Sequence, residues 1–200
     1  MSAAGLFGVL REAVREAVHA EDLGEALAAI AQTLSEDFVL IEAHVGTFGP
    51  PGTYRIVAVW PPGGVALGPG TELAADMTPD TRRIADELAT GGAVMVKVRE
   101  RDLGLVGDVL TNEDVASLIA LPLLDDDRMW GVLSLGSRLE RVFEGKAAFF
   151  TGLARGLEGR LRRLLAGAEP DGLRVVAREP PADVRTTPVD PGDAGAAPPA

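Results

Sequence analysis

The hydrophobic pattern changes its period twice along the chain, and this change constrains the fold more than any other feature. Apolar residues recur every three to four positions from Leu6 to Val18, from Leu23 to Leu34 and again from Phe149 to Leu165. This spacing predicts helices. Between these segments the apolar residues form short runs rich in Val, Ile and Leu, which predict strands. Helices at both ends with strands between them indicate an α+β fold rather than an alternating βαβ fold.

Turn residues divide the predicted strands into two hairpins with a helix between them. The strands are expected at 38–45, 54–60, 93–98, 117–124 and 129–137, and the intervening helix at 79–90. Thr78 and Pro79 fit the start of that helix, and Ser35–Asp37 is expected to end the second helix. Residues 99–116 are expected to be irregular, with one helical turn at most. The simplest arrangement is a central antiparallel sheet of five to six strands, with the N- and C-terminal helices packed on one face.

Proline marks the end of the folded part of the chain. Residues 167–200 hold half of the 14 prolines and lack apolar periodicity, which predicts a disordered tail. The one apolar stretch of this tail, 173–177, is short enough to be a weak docking strand at most. We therefore assign residues 1–19 to an N-terminal helix with a candidate dimer contact, and residues 20–166 to the folded domain.

Composition excludes several classes of function. The 200 residues include no cysteine and two histidines, and the formal net charge is −11. Without cysteine there is no disulfide, no thiolate nucleophile, no cysteine-bound metal and no thioether-linked chromophore. The acidic balance disfavours nucleic acid as a partner. No apolar run is long enough to cross a bilayer, and charges at Arg11–Glu16 interrupt any secretory signal, so a cytoplasmic protein without a membrane partner is expected.

The register of the first predicted hairpin decides which side chains share a face. A turn near Gly49 and Pro50 would place His44 opposite Arg55 and Glu42 opposite Val57. One face then carries an apolar set that should pack on the terminal helices: Val39, Ile41, Ala43, Val45, Tyr54, Ile56, Ala58 and Trp60. The other face carries a mixed set: Phe38, Leu40, Glu42, His44, Arg55, Val57 and Val59. If residues 68–113 cover this mixed face, it would suit a small-molecule pocket, although a slip of one residue would exchange the two faces.

Three segments resemble the GAF domain family. Residues 117–137, SLIALPLLDDDRMWGVLSLGS, resemble its terminal hairpin. Residues 89–96, ATGGAVMV, resemble its helix, glycine and apolar strand, and the leading helix followed by DFVLIEAHVG (37–46) fits as well. The resemblance covers about residues 20–166. It implies a PAS-like fold with terminal helices on one sheet face and a ligand pocket on the other, and a regulatory sensor module that is commonly dimeric through its terminal helices.

The residues present narrow the choice among branches of that family. Its bilin-binding members and its methionine-sulfoxide reductases act through cysteine, which this chain lacks. Its cyclic-nucleotide branch carries a short Asn- and Lys-rich motif, which Thr111–Asp114 does not match. Haem is not expected, because His44 is a lone histidine in the predicted pocket. The resemblance therefore leaves the ligand and any cofactor unknown.

The ligand-pocket candidates come from the mixed face, the segment that covers it and the following strand. They are Glu42, His44, Arg55, Val57, Asp76, Thr78, Arg82, Glu113 and Ser117. Arg55 would neutralise an anionic ligand, or it would lie on the surface. His44 has the alternative of a structural pair with Glu42 or Arg55.

Three other groups have structural interpretations. Trp60 and Trp130 are interpreted as core or rim residues rather than stacking platforms. Neither Ser117 nor Ser134 has a recognisable His and Asp partner set in the sequence, which disfavours a serine hydrolase. The acidic run Asp125–Asp127 lacks the glycine and the distal glutamate of a calcium loop, and a solvated hairpin tip is expected instead.

The leucine stripe of the C-terminal helix continues past what one small sheet would cover, which favours exposed apolar surface and a homodimer. The dimer-interface candidates are Leu6, Val9, Leu10, Leu153, Leu157, Leu161 and Leu164. Glu158 and Arg162 are expected to pair on that helix.

The leading hypothesis is a non-catalytic regulatory module that senses a small ligand and signals through its dimerisation helices or a separate partner protein. The alternative is a pure dimerisation or protein-interaction module with a degenerate pocket and no ligand. An enzyme is disfavoured, because the sequence shows no nucleophile–base pair and no metal-ligand cluster.

Overall fold

The computed structural model describes residues 3–48, 53–62, 68–74, 78–126, 128–167 and 174–175. The helices are α1 (Ala3–His19), α2 (Leu23–Phe38), α3 (Pro79–Ala89), α4 (Leu105–Asn112) and α5 (Ala147–Gly167), with a short 3₁₀ helix at Val98–Glu100. The strands are β1 (Leu40–Phe48), β2 (Thr53–Trp60), β3 (Thr71–Ala74), β4 (Val94–Lys97), β5 (Ser117–Asp125), β6 (Arg128–Ser137) and β7 (Arg174–Val175).

All of these strands belong to one sheet, in the order β4-β5-β6-β1-β2-β3-β7. Strands β1 to β6 form antiparallel pairs, and the two-residue β7 lies parallel to β3. This confirms the α+β class and the central antiparallel sheet. Strand β7 falls in the apolar stretch 173–177. The rest of the tail, and with it the prediction of disorder, lies outside the described residues.

Helix α2 begins at a side-chain cap and runs three residues further than predicted. The Asp22 carboxylate accepts a hydrogen bond from the Glu25 N–H at 2.8 Å, which satisfies a donor of the first turn. Ser35 does not end the helix, and its hydroxyl donates to the carbonyl of Ala31 within it. The extra turn carries Phe38, which is fully buried in an aromatic cluster. That burial favours the longer helix.

One face of the sheet is covered by α2 and α5, and α1 packs on these two helices. The sheet contributes to this first core the side chains Leu40, Ala43, Val45, Ala58, Ile119, Leu121, Leu123, Leu133 and Leu135. Trp60 and Trp130 are partly buried against the same core, as predicted. The aromatic cluster at its edge joins Phe38 to Phe143, Phe149 and Phe150, the last at 4.9 Å between ring centroids.

Four of the seven dimer-interface candidates are buried within the chain itself. They are Leu153, Leu157, Leu161 and Leu164, of which the last is 8% exposed and the others 0%. The prediction that this stripe outruns its cover is therefore wrong, because α1 lies against α5. A Cβ at Gly156 would be 3.0 Å from Val14 Cγ2, so this glycine lets the two helices approach closely. The three candidates on α1 are half-buried: Leu6, Val9 and Leu10.

The prediction that Glu158 and Arg162 pair with each other on α5 is also wrong. Arg162 forms a salt bridge with Asp125, and the Glu158 carboxylate accepts a hydrogen bond from the Leu124 N–H at 3.3 Å. Both partners lie at the end of β5, so these contacts connect the tip of the β5–β6 hairpin to α5. Asp125 is thus paired rather than only solvated, and Asp127 lies outside the described residues.

The pairing of β1 with β2 differs from the predicted register. Arg55 lies opposite Thr47 instead of His44, and His44 lies opposite Val59. A bulge between Val45 and Gly46 changes the register by one residue, and a second irregularity interrupts β1 between Leu40 and Glu42. Because an odd shift exchanges the two faces, only part of the predicted assignment holds.

The predicted faces are correct between the two irregularities of β1 and at the end of β2, and they are exchanged at other positions. Ala43, Val45, Ala58 and Trp60 lie against the terminal helices as predicted. Ile41, Tyr54 and Ile56, which were expected there, instead pack on the opposite face. Phe38, Leu40 and Val57 were expected on the mixed face and instead join the first core.

The opposite face of the sheet is covered by α3, α4 and the segment around them. Residues 99–116 are more regular than predicted, because α4 spans two turns between Gly104 and Glu113. The prediction also missed β3, which pairs with Thr53–Arg55 of β2. Four residues with one glycine just before them carry too little periodicity to indicate a strand.

Candidate functional site

A second core lies between this face and its cover, as expected for residues 68–113. Its buried members are Leu88, Val94, Val96, Val98, Leu103, Leu110, Val115, Leu118, Ala120 and Val132. Ile41 and Tyr54 of the central strands pack against it. This apolar surrounding sets the environment of the few polar groups on the same face.

Four polar side chains meet on this face: Glu42, His44, Tyr54 and Ser134. Glu42 is 3% exposed, His44 6% and Ser134 3%. His44 and Ser134 are direct cross-strand partners on β1 and β6, so their side chains share a face. The Tyr54 ring stands edge-on to the His44 imidazole, with 6.2 Å between their centroids. We call these four residues the polar cluster.

Two glycines make room for the polar cluster. A Cβ at Gly46 would lie 2.2 Å from both Cζ and Oη of Tyr54, so the phenol rests directly on the β1 backbone. A Cβ at Gly136 would lie 2.5 Å from Cγ of Glu42. Any larger residue at either position would displace a member of the cluster.

The electrostatics of the polar cluster centre on Glu42. Its Oε1 lies 3.3 Å from His44 Nδ1, yet this oxygen is buried and has no hydrogen-bond partner. The two groups are within ion-pair distance, but the imidazole N–H is not aligned with the oxygen. Burial of a carboxylate oxygen without a donor is costly. The cluster therefore offers an unused acceptor.

Burial raises the pKa of the Tyr54 phenol well above its ordinary value, because a phenolate would lose its solvation there. A hydrogen bond with Ser134 opposes this shift, and the nearby Glu42 charge adds to it. Tyr54 therefore stays neutral, and its hydroxyl and that of Ser134 form a pair beside the carboxylate.

The structure brings together two of the predicted pocket residues and separates the others. Glu42 and His44 lie in the polar cluster. Arg55 is half-buried opposite Thr47, on the other side of β2 from Tyr54, and its Nε has no hydrogen-bond partner. Val57 packs in the first core. The interpretation of Arg55 and Val57 as walls of this pocket is therefore wrong, because the register differs.

Four further candidates come from the cover and from β5, and Asp76 lies outside the described residues. Thr78 caps α3: its hydroxyl accepts a hydrogen bond from the Thr81 N–H at 3.1 Å and donates to the Asp102 carbonyl. Arg82 is exposed on α3, and Glu113 is half-buried at the end of α4. Ser117 is buried at the end of β5 and donates to the Leu139 carbonyl. None of these four contacts the polar cluster through a hydrogen bond described here.

Sequence reasoning missed Tyr54 and Ser134 as site residues. Tyr54 was expected on the opposite face, and Ser134 was expected to lack a histidine and an acid nearby. The sheet in fact places His44 and Glu42 beside Ser134, although the serine hydroxyl pairs with Tyr54. Gly46 was the available signal, because a glycine inside a strand pattern often marks a bulge or a close approach.

Within the described part of the chain there is no group of three or more His, Asp or Glu side chains arranged to hold a metal ion. No described helix is both long and apolar enough to span a membrane.

An antiparallel sheet with terminal helices on one face and a covered polar cluster on the other is the architecture that the sequence resemblance implies. Comparison with known proteins agrees. The GAF domain family matches residues 20–158. The chain belongs to the GAF domain family, and it is a sensory or regulatory module of that type. This match confirms the resemblance found in the sequence. A comparison with curated proteins found no match.

Solved structures share the fold at low sequence identity. The chromophore-binding domain of an unusual bacteriophytochrome from R. palustris is 14% identical, with a TM-score of 0.59 over 84% of this chain and 64% of that one. A bacteriophytochrome chromophore-binding domain from Stigmatella aurantiaca gives a TM-score of 0.55 at 14% identity, over 79% and 60%. The free methionine-R-sulfoxide reductase from Neisseria meningitidis, solved with its substrate, gives 0.57 at 20% identity, over 83% and 93%. This chain thus spans less than two thirds of either bacteriophytochrome fragment.

Proposed function

We propose that this protein is a non-catalytic regulatory module that senses a small ligand held at the polar cluster, beneath α3 and α4. One observation carries the proposal: the buried Glu42 Oε1 has no hydrogen-bond partner, although it lies among polar side chains in an otherwise apolar site. Enclosed apolar sites with a few convergent polar groups are typical of small-molecule binding.

The arrangement supports binding rather than catalysis. Ser134, His44 and Glu42 are neighbours, but the Ser134 hydroxyl pairs with Tyr54 and not with the imidazole that would have to activate it.

The signal would leave the module through the helices on the other face. Ligand binding would favour one arrangement of the sheet, and α5 would follow because the tip of the β5–β6 hairpin is bonded to Glu158 and Arg162. A separate signalling protein would read that change. The net charge of −11 supports a protein partner over a nucleic acid.

Native mass spectrometry of the protein purified from its own host tests the proposal. We expect a noncovalent small molecule that is released on unfolding. Glu42→Ala should reduce its occupancy, whereas Thr33→Ala should not, because Thr33 bonds the Ala29 carbonyl on the opposite layer. Protein that carries no small molecule and has the same thermal stability with every metabolite tested would contradict ligand sensing.

A second candidate function is homodimerisation through α1, with or without a ligand. Phe7 is 68% exposed and Val18 42%, and with the half-buried Val14 they form one stripe along α1. An adjacent groove of about 510 Å³ is lined by Gly8, Leu10, Val14 and Gly156 and by the charged side chains of Arg11, Glu12 and Arg15. This stripe would pair with its copy in a second chain. Light scattering should find a dimer that Phe7→Glu converts to a monomer, whereas Met95→Glu, at an exposed site on β4, should leave it intact; a wild-type monomer at high concentration would contradict this candidate.

A further inference from the structure

We infer that the ligand of the polar cluster is a small molecule that presents an N–H donor to Glu42 on an apolar body and carries no anionic group. This inference rests on the proposed function and adds the chemical class of the ligand. Its basis is the balance of donors, acceptors and charge on the covered face of the sheet.

The missing partner at this site is a donor. Glu42 Oε1 is buried without a hydrogen bond, and the nearest candidate donor, His44 Nδ1 at 3.3 Å, is not aligned with it. The hydroxyls of Tyr54 and Ser134 are paired with each other. A ligand N–H would satisfy the free oxygen, and a hydrogen bond to an ionised group is stronger than one between neutral groups.

An anionic ligand would be repelled by the carboxylate of Glu42. In the described residues the polar cluster contains one carboxylate, no lysine or arginine, and one imidazole, that of His44, which lies 3.3 Å from Glu42 and so already faces that carboxylate. Arg55, which sequence reasoning offered as the counter-charge, lies on the other side of β2, and Arg82 is exposed on α3. A carboxylate or phosphate placed beside Glu42 would therefore be repelled in surroundings that screen charge poorly.

The apolar side chains that surround the polar cluster favour a ligand with an apolar body. The side chains around the cluster on this face are Ile41, Ile56, Val106, Val109, Leu118, Ala120 and Val132. These groups can bury hydrocarbon and offer no further hydrogen bonds, so one polar end on an apolar molecule is the best match.

Three probes of nearly equal size separate the possibilities: benzylamine, benzamide and benzoate. They share an apolar ring and differ in presenting a cationic N–H, a neutral N–H or an anion. Titration calorimetry with the full chain should detect benzylamine and benzamide and no benzoate. Glu42→Gln should weaken benzylamine at least about tenfold, because a charge-assisted hydrogen bond is lost. Glu36→Gln, at an exposed position on α2, should leave all three affinities unchanged.

Each outcome bears on the inference separately from the proposed function. Benzoate binding as tightly as benzylamine would overturn the inference, and so would benzylamine binding that Glu42→Gln leaves intact. Failure of all three probes at millimolar concentration would overturn it as well. In each case a small molecule found by native mass spectrometry on the host-purified protein would still support ligand sensing, whereas its absence would remove both. If Glu42→Gln does not fold, the affinities of the three probes for the unaltered chain alone decide whether the inferred ligand class is correct.

Discussion

Replacing Gly46 with alanine should destabilise the protein only while Tyr54 is present. The new Cβ would lie 2.2 Å from Cζ and Oη of the phenol, far inside the roughly 3.5 Å at which carbon atoms normally meet. The ring would have to retreat by about 1 Å or more. It cannot do so freely, because its hydroxyl is bonded to Ser134 and its edge packs against His44.

The structure sets both the size and the sign of this effect. Overpacking of this kind costs about 1–3 kcal/mol. In a Tyr54→Ala background the clash is gone, and alanine in a strand should then be more stable than glycine by about 0.5–1 kcal/mol. The same Gly46→Ala change therefore reverses sign between the two backgrounds, with a coupling energy of about 1.5–4 kcal/mol.

Urea unfolding of the four proteins in this cycle, followed by circular dichroism, measures that coupling through the transition midpoint and slope. Gly68→Ala is the control, because a Cβ at that position meets no atom within 4 Å. An equal cost of Gly46→Ala in both backgrounds would refute the contact between β1 and the phenol.

Three other predictions test the fold and the site. Tyr54 is the single tyrosine of the chain, so tyrosinate absorbance reports it alone; its pKa should be raised by burial, and stability should fall above about pH 10, where only the unfolded state releases this proton. Tyr54→Phe should abolish that part of the pH dependence. Phe38→Ala should cost about 3–5 kcal/mol in urea unfolding, whereas Leu139→Ala, at a side chain 47% exposed, should change stability by about 0.5 kcal/mol or less. Thr78→Ala should cost about 1 kcal/mol through loss of the α3 cap, seen as faster amide exchange at Thr81.

Each of these three predictions has an outcome that would contradict it. A Tyr54 phenol that titrates near pH 10 in the folded protein would mean that it is solvated. Equal costs at Phe38 and Leu139 would place the aromatic cluster outside the core. Unchanged exchange at Thr81 would show that Thr78 does not cap α3.

The architecture followed from periodicity because both terminal helices and most strands are long enough to repeat their pattern. α5 alone presents six buried positions at helical spacing, and the last hairpin carries a run of buried residues on both strands. The short elements β3 and α4 were missed or underestimated because four to eight residues repeat a pattern too few times to be distinguished from a loop.

The candidate site was only half predictable because it depends on register. The sequence placed Glu42 and His44 on the correct face, since both lie between the two irregularities of β1. It placed Tyr54 and Arg55 on the wrong faces, because neither the length of the β1–β2 connection nor the extra residue at Gly46 has a periodic signal. Ser134 reaches the cluster from β6, about ninety residues away in sequence, and only the sheet topology shows that contact.

In β1 the two sides of the sheet are separated by a single peptide group. Glu42 points into the polar cluster, and its neighbour Ala43 points into the packing beneath α2 and α5. A change at the polar cluster therefore needs no long path to the helices, because a tilt of Glu42 also moves the methyl group of Ala43 on the other side. A shift of the β1 backbone at the polar cluster would therefore reach the helix side first at a small residue, Ala43, rather than at any charged group.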